Sequence, residues 1–331
     1  MTEGSLDELV TLPLSAIRET AGALASRIVR TPSVDCLAPA ITRRLASGTR
    51  LNMKLELFQH SGSFKARSVL AVILSLTPER RARGVAAVSA GNHAIATAWA
   101  ARSLGVNARL VMFKTADPAR IALVRSLGGE VVIAEDVAAA FDEAARLQAE
   151  EGRYLIHPFA GRFTSLGAAT VATEWLEDVK DLDAVVISIG GGGLIGGVAA
   201  AIKQIKPSCL VFGVEPEGAD SMARSLAAGA PVRLDHVETI ADSLGAPYTL
   251  PYSFGLCARY VDDVVLVPDA AMIEGMRLYL DGFKLMCEPA GAATLAATLG
   301  PLRDRLQGAR VGVLVCGSTI ELSSFLRLIR S

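Results

Sequence analysis

The stretch Gln59-His60-Ser61-Gly62-Ser63-Phe64-Lys65-Ala66-Arg67 determines how the surrounding chain is interpreted. It follows an apolar run and precedes Val69–Leu76, which is apolar on every side and therefore predicts a buried helix. With Ser63 as the predicted N-cap, Lys65 falls in the first helical turn. There the helix dipole and the loss of solvent both lower the pKa of the amine and favour the neutral form that a Schiff-base lysine requires. The alternative is a lysine whose side chain extends to the surface.

The rest of the chain alternates between apolar, β-branched runs and alanine-rich stretches that end at glycine or proline. This alternation is typical of α/β proteins in which right-handed crossovers connect mostly parallel strands covered by helices. The predicted strands are Leu51–Leu57, Val85–Ser89, Arg109–Phe113, Val131–Ala134, Ala184–Ile189, Leu210–Val214, Val264–Val267 and Val311–Val315. Because ligands bind at the carboxyl ends of such strands, the loops that follow these runs are where chemistry is expected.

Charge and hydropathy exclude two classes of partner. The 331-residue chain has a formal net charge of −1 and no basic run, which argues against nucleic acid. Met1–Val10 holds three acidic residues and no apolar segment, so it does not resemble a secretory signal. The uncharged stretch Ala184–Ile202 is almost long enough to span a bilayer, but its six glycines divide it into a strand, a loop and a buried helix. We therefore expect no membrane partner.

The cysteines indicate a reducing compartment. The chain has five of them, at Cys36, Cys209, Cys257, Cys287 and Cys316, with no C-x-x-C pair and no even framework. Reduced thiols are the simplest explanation of this pattern, and they predict a cytoplasmic protein.

A second loop, Ser89-Ala90-Gly91-Asn92-His93, follows a predicted strand and precedes an alanine-rich helix. Successive backbone N–H groups in such a position can hold a carboxylate, and the Asn92 side chain can hydrogen-bond a ring hydroxyl. Taken alone, the same residues are also typical of an ordinary turn in which His93 is a satisfied helical residue.

A third loop, Gly190-Gly191-Gly192-Gly193-Leu194-Ile195-Gly196-Gly197, allows close approach of the backbone to an anion at a helix N-terminus. A phosphate fits this position. The loop also satisfies G-x-G-x-x-G, and Glu215 lies near the position of a ribose-binding acid. An NAD(P)-dependent oxidoreductase therefore remains an alternative at this point.

A fourth loop follows the predicted strand Val311–Val315 and reads Cys316-Gly317-Ser318-Thr319. The Cys316 thiol is a neutral and weak hydrogen-bond partner for a ligand. A buried structural thiol explains this cysteine equally well when it is considered alone.

Together these loops resemble the threonine/serine dehydratase family of pyridoxal-phosphate (PLP) enzymes, which have a two-domain tryptophan-synthase-β-like fold. The resemblance runs from about Leu51 to Glu321 and keeps the order and spacing of the family's motifs. These motifs are Ser63–Arg67, Ser89–His93, Gly190–Leu194, Glu288–Ala292 and Cys316–Ser318. The resemblance decides against the oxidoreductase, because the glycine loop lies in mid-chain after a lysine loop that a dehydrogenase does not need.

The resemblance implies a role for each loop. Lys65 would carry the cofactor as a Schiff base and remove the substrate's Cα proton, with Phe64 behind the cofactor ring. Asn92 would meet the ring's 3′ oxygen, and Cys316 would face the pyridine nitrogen. The cofactor phosphate would rest on the backbone amides of Gly190, Gly191, Gly192, Gly193 and Leu194. The substrate carboxylate would bind the backbone of Ser89, Ala90, Gly91, Asn92 and His93.

The implied activity is the dehydration and deamination of threonine or serine to a 2-oxo acid and ammonia. Ala90 replaces the second serine of similar serine racemases, so racemisation is disfavoured. Gly167–Thr170 and Ser243 also depart from the family pattern, and we expect both to lie near the substrate. These departures suggest a less common substrate, such as phenylserine, 3-hydroxyaspartate or the hydroxy amino acid of hydroxyectoine degradation.

Three further expectations follow from the resemblance. Related enzymes bind a divalent cation where this chain has Glu215, the Ala219 carbonyl and Ser221, and because Ser221 replaces a carboxylate we predict no tight metal. A small domain of residues 84–160 is expected to be inserted in a large PLP-binding domain of residues 1–83 plus 161–331. A homodimer is expected from the family alone.

Overall fold

The computed structural model describes residues 10–331. The prediction that Met1–Val10 is not a secretory signal falls, except for Val10, outside the described residues. All eight predicted strands are present, with ends that differ by a few residues, and the chain is an α/β protein as expected.

The larger sheet has six strands in the order β1-β2-β10-β7-β8-β9. Its strands are β1 (Ser33–Asp35), β2 (Arg50–Lys54), β7 (Ala184–Ser188), β8 (Leu210–Pro216), β9 (Asp263–Val267) and β10 (Arg310–Leu314). All neighbours are parallel except β1, which pairs antiparallel with β2. Every residue of β7 is buried, as expected for a strand covered on both faces. The parallel pairing places the loops after β2, β7 and β10 at one edge of the sheet.

The smaller sheet has four parallel strands in the order β5-β4-β3-β6. They are β3 (Val85–Val88), β4 (Ala108–Phe113), β5 (Glu130–Ala134) and β6 (Tyr154–Leu155). All four lie between residues 84 and 160, and we keep those domain boundaries as a proposal. The apolar side chains of Val69–Ile73 pack into the same hydrophobic core as this sheet. Strands β1 and β6 were not predicted, because two or three residues are too few to show a periodic pattern.

Helices cover both sheets. The described α-helices are Leu14–Leu24, Pro39–Thr42, Lys65–Ser75, Pro78–Ala82, Asn92–Ser103, Pro118–Ser126, Val137–Glu151, Arg162–Asp178, Gly193–Ile205, Ser221–Ala228, Pro251–Tyr260, Asp269–Phe283, Pro289–Leu299 and Leu322–Arg330. Short 3-10 turns occur at Glu56–Phe58, His60–Gly62, Asp242–Leu244 and Asp304–Leu306. Within residues 10–331, no helix combines the length and the hydropathy needed to cross a bilayer.

Glycines bring three of these helices into close contact. A Cβ added to Gly167 would lie 2.5 Å from the carbonyl oxygen of Arg67, and one added to Gly197 would lie 2.2 Å from that of Ser165. Helix Arg162–Asp178 is therefore packed between the helix of Lys65 and helix Gly193–Ile205. Residues Gly167–Thr170 form a buried helix interface, and that they lie near the substrate stays a prediction.

A buried ion-pair network holds the helix of Lys65 to its neighbours. Arg67, which is 0% exposed, donates to both carboxylate oxygens of Glu56 at 2.8 and 2.9 Å. It also donates to both oxygens of Glu174 at 2.7 and 2.8 Å. The buried Lys54 amine lies 3.2 Å from Glu174. Two cations thus balance two carboxylates between β2 and helices Lys65–Ser75 and Arg162–Asp178.

We predict that Arg67→Met destabilises the protein strongly, because it leaves two carboxylates out of water with only Lys54 as a counter-charge. The cost of breaking such a buried pair is about 3–5 kcal/mol. The free energy of unfolding is measured by urea titration, with Arg146→Met on the exposed face of Val137–Glu151 as the control that changes little. Equal unfolding midpoints for the two variants would contradict the importance of the network.

Candidate functional site

Lys65 is the first residue of the helix Lys65–Ser75, as predicted. The cap prediction is wrong in detail, because Phe64 occupies the N-cap position and the buried Ser63 hydroxyl has no hydrogen-bond partner. The Lys65 amine donates to the carbonyl oxygen of Pro158 and lies 5.0 Å from the centre of the Phe64 ring. Burial lowers the pKa of the amine from 10.5 to about 8, although the Glu288 carboxylate opposes the shift. Near physiological pH the amine is therefore still mostly protonated, but its neutral form is far more accessible than that of an ordinary lysine.

The loop after β10 contacts the loop that leads to Lys65. The Phe64 amide donates to the Cys316 carbonyl oxygen at 3.1 Å, and Ser63 pairs with Gly317 in an isolated β-bridge. The Ser188 hydroxyl donates to the Cys316 sulfur at 3.5 Å. Burial raises the pKa of the Cys316 thiol to about 12, so it is a neutral group beside Lys65. The predicted proximity of these two residues is therefore seen in the structure.

The glycine loop joins β7 to helix Gly193–Ile205, as predicted. A Cβ added to Gly191 would lie 2.2 Å from the Phe159 ring, and one added to Gly193 would lie 2.3 Å from the Phe159 carbonyl oxygen. Gly192 has a φ of +90°, which disfavours other residues. The helix has no side-chain N-cap, so its first amides are available to an anion. Gly190 and Leu194 flank this turn, and Leu194 is buried.

The loop Ser89–His93 follows β3 and precedes helix Asn92–Ser103. Its Ser89 hydroxyl accepts the Gly91 amide at 3.1 Å. The Asn92 amide nitrogen donates to the two Glu288 oxygens at 2.8 and 3.0 Å, and the Ser243 hydroxyl donates to Glu288 at 3.0 Å. Burial raises the pKa of Glu288. Asn92 thus lies at the junction of the smaller sheet with the loops of the larger one.

Two histidines near Lys65 are uncharged at physiological pH. His93 Nε2 lies 2.9 Å from the carbonyl oxygen of Ile156, so Nε2 carries the proton, and the buried Nδ1 is an acceptor with no partner. Burial lowers the pKa of His93 to about 3 and that of His157 to about 4. His157 Nδ1 accepts the amides of Phe159 and Ala160 at 3.3 and 3.1 Å.

The possible metal ligands are arranged differently from a cation site. The Glu215 carboxylate accepts the amides of Met222 and Ala223, both at 2.8 Å, and so caps helix Ser221–Ala228. Burial raises the pKa of Glu215 to about 8. Ala219 is buried beside it, and the Ser221 hydroxyl has no partner. In the described part of the chain, no three His, Cys, Asp or Glu side chains cluster in a way that could hold a metal ion. That no metal binds tightly stays a prediction.

These residues fit pyridoxal phosphate. The cofactor needs a neutral amine for its aldehyde, a narrow backbone cradle for its phosphate and polar partners around its ring. Lys65 supplies the amine, and the glycine loop supplies the cradle. Several buried polar atoms of this region lack partners within the protein and could contact the ring or the substrate, namely Ser63 Oγ, Asn92 Oδ1 and His93 Nδ1.

A parallel α/β fold with a lysine amine and a glycine cradle at its strand ends defines a PLP enzyme of the tryptophan-synthase-β type. The family model described as pyridoxal-phosphate dependent enzyme matches residues 24–317, and the chain belongs to that family. The predictions of fold class and cofactor are confirmed, and the NAD(P)-dependent alternative is excluded.

The relatives narrow the class of reaction. The chain is 52% identical to the phenylserine dehydratase of Ralstonia pickettii over 85% of this chain and 86% of that protein. It is 34% identical to the L-threonine ammonia-lyase of Thermotoga maritima over 96% and 78% of the two chains. The structure of maize serine racemase superimposes with a TM-score of 0.90 at 33% identity, covering 97% of each chain. The prediction of a PLP-dependent ammonia-lyase is confirmed.

Sequence reasoning missed the residues that border the site on its open side. Phe159 packs against Gly191, and Tyr248 lies 6.0 Å from Phe159 between ring centres. Nothing in the composition of the segment His157-Pro158-Phe159 predicts contact with the glycine loop. Tyr248 carried no signal other than its position five residues after Ser243.

We predict that Gly191→Ala abolishes retention of PLP, because its methyl group would overlap the Phe159 ring. Retention is measured by dialysis of the loaded protein, followed by the absorbance of the bound cofactor. Gly22→Ala is the matched control, since a Cβ at Gly22 meets nothing within 4 Å. Equal retention of PLP by the two variants would contradict the assignment of the glycine loop as the phosphate site.

Proposed function

We propose that this protein releases ammonia and a 2-oxo acid from a β-hydroxy amino acid at the site around Lys65, and that its substrate is phenylserine. The observation that carries the proposal is the partly buried Lys65 amine with a pKa of about 8, which donates to the Pro158 carbonyl, while the next residue, Phe159, packs against the glycine loop. The 52% identity to a phenylserine dehydratase supports the substrate. The site residues keep the roles implied by the resemblance.

Each residue has a physical task in this proposal. Bound PLP supplies an electron sink for the electron pair left when the substrate's Cα proton is removed. Lys65 Nζ takes that proton, since a neutral amine is a competent base near its own pKa. The Cys316 thiol stays uncharged beside the ring nitrogen, and the amides of Gly190–Leu194 hold the phosphate. The backbone of Ser89–His93 binds the substrate carboxylate.

Water is lost from Cα and Cβ of the substrate, and hydrolysis of the product then gives the 2-oxo acid and ammonia. Ala90 has no hydroxyl that could return a proton to the opposite face of Cα. Elimination is therefore favoured over racemisation. We also propose a cytoplasmic homodimer. The five buried free thiols support the compartment, and the dimer rests on the family resemblance alone.

We predict that Lys65→Ala lowers ammonia release from phenylserine by at least about a thousandfold, because the variant lacks both the cofactor-bearing amine and the base. Release of ammonia and of the corresponding 2-oxo acid is measured for phenylserine, threonine, serine and 3-hydroxyaspartate. The exposed Lys114→Ala variant is the control and should match the parent protein. Normal turnover by Lys65→Ala would refute the assignment of the base, and a parent protein that prefers threonine would refute the substrate.

We predict that covalent attachment of PLP to the cofactor-free protein accelerates as pH rises from 7 to 9, with a midpoint near 8. The sign follows from the lowered pKa of Lys65, whose amine becomes neutral as pH rises through about 8. The rate is followed by absorbance after mixing. Nα-acetyl-lysine is the control, since an amine with a pKa of about 10.4 is almost fully charged over this range. A midpoint above 10 for the protein would contradict the shift.

A further inference from the structure

A cavity of about 140 Å³ lies beside the loop that follows β6. Its lining is almost entirely apolar and comes from four segments, namely the end of β3, Phe141 of helix Val137–Glu151, residues 155–159 at and after the end of β6, and residues 246–248. The residues that matter most are Val88, Ile156, Pro158, Phe159, Pro247 and Tyr248. Neither Lys54 nor any of the carboxylates described above lines it.

The cavity adjoins the candidate site on two sides. The carbonyl of Pro158, a lining residue, accepts the hydrogen bond from the Lys65 amine. Phe159, another lining residue, packs against Gly191 of the glycine loop. The cavity therefore shares wall residues with the surroundings of the Lys65 amine and of the glycine loop.

The walls have the chemistry of an aromatic-ring site. The Phe159 ring meets His157 edge to face at 4.5 Å and Tyr248 at 6.0 Å between ring centres. These are the separations and inclinations at which aromatic pairs attract each other. His157 is neutral at physiological pH, because burial lowers its pKa to about 4. The Arg233 guanidinium lies over the Tyr248 ring, 4.8 Å from its centre.

The volume matches a phenyl ring better than a smaller group. A dry apolar cavity of about 150 Å³ is sufficient to bind benzene. The methyl group of threonine would leave most of the space unfilled. A side-chain carboxylate would lose hydration there, and none of the lining residues carries a charge to compensate for that loss.

We propose that this cavity is the subsite for the aryl group of the substrate, and that Phe159, Ala246 and Tyr248 determine the preference for aryl over alkyl β-hydroxy amino acids. The inference rests on the proposed function, since it concerns the same reaction at the same lysine. It adds the place where the ring binds and the residues that select it.

Two variants test the subsite by opposite changes in its volume. Ala246→Leu fills the cavity, and Tyr248→Ala removes one aromatic wall. For each we expect the ratio of kcat/KM for phenylserine to kcat/KM for threonine to fall by about tenfold or more. Phe163→Ala, an exposed aromatic residue that does not line the cavity, is the matched control and should keep the parent ratio.

Binding without turnover gives an independent readout. L-phenylalanine and L-alanine lack a β-hydroxyl, so both can be measured as competitive inhibitors of threonine turnover. The parent protein should bind phenylalanine more tightly than alanine, and Ala246→Leu should reduce that difference by about tenfold or more. The absorbance of bound PLP confirms that each variant is folded and loaded.

The outcomes separate the two proposals. A parent protein that yields no phenylpyruvate from phenylserine refutes the proposed substrate. A parent protein that turns over phenylserine while both variants keep the parent ratio and the parent inhibition pattern refutes the subsite alone. A lower ratio in both variants, with the control unchanged, supports the subsite.

Discussion

The pairing of Arg67 with Glu56 and Glu174 is the interaction on which the rest of the site depends. Arg67 follows Lys65 by two residues, and its guanidinium nitrogens donate to two separate carboxylates. These bonds restrict the movement of the helix start. Glu56 belongs to the 3-10 turn that follows β2, and Glu174 belongs to the helix that packs on the glycine-loop helix through Gly197. The position of the Lys65 amine relative to the phosphate cradle is thus set by buried ion pairs and by close helix contacts at glycines. We expect the ion pairs to have no contact with the substrate.

Much of this arrangement could be predicted from local sequence. Most of the eight longer strands are apolar runs, and the four loops contain residues whose backbone freedom or chemistry is unusual. Such features are visible without knowledge of tertiary contacts. The lowered pKa of Lys65 also follows from its place at the start of an apolar helix, although the cap residue is Phe64 and not Ser63.

The remainder depends on contacts between distant segments. Asn92 and Glu288 are 196 residues apart in the chain, and their hydrogen bond exists only because the smaller sheet lies against the loops of the larger one. Gly167 shows the same limit. Its segment differs from the family pattern, but that difference alone did not predict the close helix contact at this residue. The aromatic cavity could not be predicted from the sequence for a similar reason. Phe159 and Tyr248 lie far apart in the chain, and no common sequence pattern indicates that they meet.

Phe159 is shared between the cavity and the glycine cradle, but Ala246 and Tyr248 contribute to neither the cradle nor the ion-pair network. Substitutions at positions such as 246 and 248 therefore leave intact the parts that deliver the proton-accepting amine and hold the phosphate. An enzyme built this way can change its substrate during evolution while its catalytic residues stay the same. A few substitutions in the cavity wall are enough to adapt an inherited amino-acid-degrading enzyme to a new carbon and nitrogen source.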